Sequence, residues 1–201
     1  MSSTTLYRLS GIVLLIGGVL TIIGTLLEAP SAPGTPLWIP GTWLALGGSL
    51  LIILGWPGLY LRQADKAGRL GLLGFVLSFV ALLILGIGFG TIDTFVSQVL
   101  AEEGSMPALL GFELLGGLLL VVGPLLFGIA TLRASVFPRW VAIILIVGSI
   151  ATLVTVILHD WNEVSAAILF LAIACFGYVL WSDRYGTDFV PSVQPIKEAR
   201  S

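Results

Sequence analysis

Charge is what this 201-residue chain most lacks. Asp, Glu, Lys and Arg together make up 10% of it, against roughly 25% in an ordinary soluble domain. Hydrophobic residues reach 57%, more apolar surface than a soluble fold could hide, so lipid is the expected solvent for most of the chain. There is one cysteine, Cys175, which excludes an intrachain disulfide and leaves the redox compartment unread. One histidine, His159, excludes a bis-His haem and a zinc site of three histidines. The net charge of −2 is spread along the chain and forms no basic patch, so nucleic acid is not an expected partner. No strand is expected, hence no strand-borne phosphate loop: Gly86-Ile87-Gly88-Phe89-Gly90 lies inside an apolar run and reads as close helix packing. Ser, His and Asp are all present, but around no recognisable nucleophile elbow. Cys175 sits in mid-run with no positive neighbour, as a small core residue rather than a nucleophile. No cofactor is expected, and the balance leans away from an enzyme.

What is present is a set of long apolar runs. A helix needs about 20 apolar residues to cross the hydrocarbon core. Six runs meet or approach that length: Leu6–Leu27, Thr42–Leu61, Leu70–Phe95, Pro107–Leu132, Trp140–Leu158 and Val164–Trp181, none with Lys or Arg in its interior. The first and third connections carry breakers, Pro30, Pro33, Gly34, Pro36 and Pro40 in one, Gly104 and Pro107 in the other. The expected fold is all-α, a polytopic membrane bundle of six transmembrane helices over 1–181, with a polar cytoplasmic tail over 182–201 that Pro191 and Pro195 make extended or disordered. Span one could be a cleaved signal peptide, because Ala29, Ser31 and Ala32 follow it. Its apolar run exceeds the usual signal core of roughly 7–15 residues, so an uncleaved helix is expected.

Orientation follows from the basic residues. Arg8, Arg62, Lys66, Arg69, Arg133, Arg139, Arg184, Lys197 and Arg200 all fall on one side of the six spans, and the opposite loops have none. That side is expected to be cytoplasmic, with both termini inside. Trp38, Trp43 and Trp161 mark the outer interface; Tyr7, Tyr60, Trp140, Tyr178 and Trp181 mark the inner one.

No ionisable residue falls near the expected bilayer centre, which disfavours a proton relay or a charged midplane ion site. Interest moves to the outer ends. At about 100° per residue, Ser10, Gly17, Thr21, Gly24, Thr25 and Glu28 share one face of span one. Glu113, Gly116, Gly117, Pro124, Gly128 and Thr131 share one face of span four, and Gly148, Thr152, Thr155 and His159 one face of span five. Span three carries Gly86, Gly90, Asp93 and Ser97 on one side. If these stripes face one another, Glu28, Asp93, Glu113 and His159 converge, with Asp160 and Glu163 in the adjacent turn. Three carboxylates and a histidine could hold a hard or borderline cation. The plainer reading is packing, because small residues let membrane helices approach closely. Asn162 and Glu163 also suit a helix cap and first turn, and Glu113 the second turn of a helix opened by Ser105 and Pro107. Glu28 and Asp93 lie near helix C-termini, where the helix dipole disfavours anions.

Spans two and three recur loosely as spans four and five, with Gly47-Gly48 and Gly116-Gly117 lying 69 positions apart. The runs Gly55-Trp56-Pro57-Gly58-Leu59-Tyr60-Leu61-Arg62-Gln63-Ala64, Ala67-Gly68-Arg69-Leu70-Gly71-Leu72-Leu73-Gly74-Phe75 and Phe137-Pro138-Arg139-Trp140 resemble segments of small bacterial six-helix membrane proteins of unknown function. That resemblance covers roughly the membrane-embedded part and implies a bacterial plasma (inner) membrane protein, with no activity or site residues. The general plan also resembles the acid-resistance membrane proteins built of short repeated hairpins.

Three functions are open at this level. The first is a non-enzymatic accessory, structural or stress-related bundle, with the lipid bilayer, other membrane subunits or a second copy as partners. The second is a small-solute or cation transporter or channel with an acidic outer vestibule. The third is a membrane enzyme with an outward metal site at Asp93, Glu113, His159 and Glu163. The turn Arg62–Arg69 could contact anionic headgroups, but as a topology determinant it needs no further role.

Overall fold

A computed structural model of the protein describes residues 3–31, 35–95, 107–158 and 163–182, with the backbone alone at 3, 4, 93, 107–110, 156–158, 163 and 164. Among the described residues every regular element is helical. They are α1 (Ser3–Glu28), α2 (Trp38–Ala81), a π-helical segment (Leu82–Phe89) running into α3 (Gly90–Phe95), α4 (Pro107–Ala134), α5 (Arg139–Leu158) and α6 (Glu163–Ser182). Each apolar run read from the sequence lies within these helices. Four described helices are long and apolar enough to cross a membrane: Thr5–Glu28, Trp38–Ile92, Gly111–Ala134 and Ser165–Ser182. Arg139–Thr155 is a shorter apolar helix.

The stretch Trp38–Ile92 is not one rod. As a straight helix its 55 residues would reach about 80 Å, well over twice the hydrocarbon thickness. It folds back at Gly68, whose φ of 58° and ψ of −161° fall in a region that is open essentially to glycine alone. The two arms lie side by side. Tyr60 stacks on Phe75 with centroids 4.7 Å apart. Farther from the bend, a Cβ on Gly86 would stand 2.9 Å from that of Ser49. Trp43 meets Phe95 edge-on at 5.1 Å. Arg62–Arg69 reads in the sequence as a basic turn; the chain stays helical through Ala67 and reverses at one residue. Good helix formers such as Arg62, Ala64, Lys66 and Ala67 explain the continuity, and the glycine explains the stop.

Helices close a ring. α1 lies between α2 and α6, the second arm of α2 packs on α4, α4 on α5, and α5 on α6. Backbones approach closely because glycines stand at the crossings. A Cβ on Gly11 would lie 2.5 Å from the Trp181 amide nitrogen and 2.8 Å from the Gly177 carbonyl oxygen, so α1 and α6 touch main chain to main chain there. A Cβ on Gly17 would meet the Gly48 carbonyl oxygen of α2 at 2.8 Å.

The ring encloses large side chains. Leu14, Ile52, Trp56, Phe127, Leu145, Leu169 and Phe176 are all at most 1% exposed. Trp56 and Phe127 sit 5.4 Å apart, and Phe176 links Phe127 to Phe137, which the short α4–α5 connection inserts into the core. The outside is equally apolar. Leu9, Ile12, Ile16, Val19, Ile23 and Leu26 recur every three or four residues on the exposed side of α1, and Leu54 is 71% exposed. A surface of this kind suits lipid and not water.

Candidate functional site

The small-residue stripes meet sequence neighbours rather than one another. The face of span one packs on α2: Ser10 against Gly58, Thr21 against Gly48, and Gly24 against Ala45. The face of span three also turns to the first arm of α2, through Gly86 on Ser49 and Gly90 on Leu46. On α4, Gly116 meets Ile84 and Leu85, while Gly128 meets Ile146 of α5. Gly148 of α5 meets the Leu169 backbone of α6. The hydroxyls on these faces are largely used within their own helices. Thr21, Thr25, Ser78, Thr131, Ser149 and Thr152 each donate to the carbonyl four residues back, at 2.7–2.9 Å. Thr155 and Ser165 share a hydrogen bond of 3.1 Å between α5 and α6.

The acidic ends are placed accordingly. Glu28 is the last residue of α1; it is half-buried, its Cγ lies 3.0 Å from where a Gly41 Cβ would stand, and its Oε1 is enclosed. Glu113 is half-buried in the second turn of α4, a helix that packs on α2 and α5, whereas α1 packs on α2 and α6. Asp93 is described by its backbone alone, in α3, and Glu163 likewise as the first residue of α6. His159 and Asp160 lie outside the described residues. Among the described residues no three His, Cys, Asp or Glu side chains stand close enough to share a metal ion.

A second polar feature lies at the other end, in the interior. Ile52, Trp56, Leu59, Gln63 and Ala67 follow one buried face of the first arm of α2. Gln63 is 1% exposed, and its side-chain Nε2 and Oε1 have no hydrogen-bond partner. Trp56 is also 1% exposed, with its indole N–H unpartnered. In the sequence Gln63 reads as part of the basic turn Arg62–Arg69, and its burial is not expected there. The signal was its spacing, seven residues after Trp56, which keeps it on the inward face once the helix continues past Leu61. Next to it in the chain, Arg62 lies over the Tyr7 ring of α1 at 5.7 Å, tying these ends of α1 and α2 together.

No family model, curated protein or solved structure matches the chain.

Proposed function

We propose that the protein is a six-span plasma-membrane bundle with both termini in the cytoplasm, acting as a non-enzymatic accessory or structural component of a bacterial inner membrane. The six crossings are α1, the two arms that meet at Gly68, α4, α5 and α6; the one-sided distribution of Lys and Arg supports the orientation. One observation carries the functional reading: large apolar side chains from five of the helices form one buried cluster between them. Trp56, Phe127, Phe176 and Leu145 belong to it at 1% exposure or less, and glycine crossings bring neighbouring backbones into contact. A bundle packed this way has its binding energy in helix–helix contacts and presents apolar faces to lipid or to another membrane subunit. The test is reconstitution of the purified protein into liposomes. Absence of solute flux and of substrate turnover is expected, and either activity would overturn the reading.

A cation vestibule at the outer end is the second reading, and the placement of Glu28 favours it. A half-buried carboxylate at a helix C-terminus faces the negative end of the dipole, where a bound cation would stabilise it. Cation-dependent flux that disappears in a Glu28→Gln, Asp93→Asn double variant would establish it; flux unchanged by the double variant would remove it.

A further inference from the structure

The interior polar pair on α2 asks for a partner that none of the described residues supplies. Buried amides and indole N–H groups are hydrogen-bonded in folded proteins, because leaving them bare in an apolar interior forfeits the bonds they make in water. Here three such atoms, Trp56 Nε1 and Gln63 Nε2 and Oε1, lie on one helix face with none. Both residues are 1% exposed, so bulk solvent does not reach them.

The chemistry narrows the occupant. Among the described residues no Asp, Glu, Lys or Arg is buried, so an ion in this interior would lack a counter-charge from them. The occupant is therefore uncharged. Trp56 can only donate, whereas Gln63 both donates and accepts. A molecule satisfying all three atoms must itself accept and donate. The two residues are seven apart on one helix, about 10 Å along its axis, a distance that a short file of waters or one small amide or alcohol with water can bridge.

We propose that Gln63 and Trp56 form an interior binding site for small uncharged molecules that both donate and accept hydrogen bonds. Water and a small amide or alcohol solute share that chemistry. The inference is independent of the structural role proposed above and stands or falls by different measurements.

The test uses the full chain, labelled with ¹⁵N and held in a lipid nanodisc. The Trp56 indole signal is identified as the one missing from Trp56→Phe, and the Gln63 amide signals as those missing from Gln63→Leu. Magnetisation transfer from water to both groups is expected, with the transfer to Trp56 lost in Gln63→Leu. If acetamide shifts the Trp56 signal saturably in the parent chain and not in Gln63→Leu, the site takes a solute. If only the water transfer is seen, it is a water site. Absence of transfer at both groups together with no acetamide shift would overturn the proposal, as would transfer to Trp56 that persists unchanged in Gln63→Leu. Should Gln63→Leu fail to fold, Gln63→Met keeps the side-chain length and serves in its place.

Discussion

Tyr60 and Phe75 lie eight residues before and seven after Gly68, and their rings stack 4.7 Å apart at an interplanar angle of 25°. The contact closes the hairpin immediately above its bend. It makes the reversal a tertiary feature, with the backbone angle of one glycine and the stacking of two aromatics supporting the same geometry. A change at either should loosen the arms.

Gly68 itself can be tested without a steric complication, because a Cβ there would meet nothing within 4 Å. Gly68→Ala should nevertheless lower stability by about 1–3 kcal/mol, the usual cost of forcing a side chain into that region. Thermal unfolding in detergent reads it. An unchanged midpoint would mean that the bend is not held at this φ and ψ.

Glycine crossings should tolerate no side chain, in contrast to glycines facing open space. Gly11→Leu should separate α1 from α6 and lower the unfolding temperature markedly, since a Cβ already falls 2.5 Å from the Trp181 nitrogen. Gly47→Ala, where nothing lies within 4 Å, should be neutral or stabilising by up to about 1 kcal/mol from helix propensity. Equal effects of the two substitutions would argue against the close α1–α6 contact.

The buried cluster predicts a large penalty for emptying it. Phe127→Ala removes a side chain with 0% exposure between Trp56 and Phe176, and should cost about 3–5 kcal/mol. Leu54→Ala, at 71% exposure, should leave internal packing intact and change stability little. Chemical denaturation of both variants against the parent chain supplies the comparison.

Sidedness is open to labelling in a Cys175→Ser background. A cysteine at Ser31, just beyond α1, should react with a membrane-impermeant maleimide on intact cells. One at Ser135, in the α4–α5 connection, should react only after permeabilisation. The reverse pattern would invert the proposed orientation.

How much of this was legible in the chain differs from feature to feature. The helices around Leu6–Leu27 and Pro107–Leu132 could be read directly, because apolar length is a property of consecutive residues. The stripe from Ser10 to Glu28 was also visible, and packing was one of its two readings. Its partner was not visible: Gly17 and Gly24 meet α2, and nothing local to span one says so. Which acids lie near Glu28 depends on that same information, which no residue of span one carries. Gln63 was misplaced because its sequence neighbours Arg62, Asp65 and Lys66 made the segment look like a solvated turn.

The sequence by itself determined that the chain is helical and apolar enough for a membrane, where its long runs lie, and which residues are small enough for close contact. Tertiary structure alone decided that Gly68 reverses the chain in a single residue, that each stripe meets its chain neighbour, and that Gln63 and Trp56 face the interior. The reason is physical. In water a polar outer face betrays which side of a helix is inside; here Ile16 and Leu54 on the outside are as apolar as Leu14 and Ile52 within, and only the packed neighbours tell them apart.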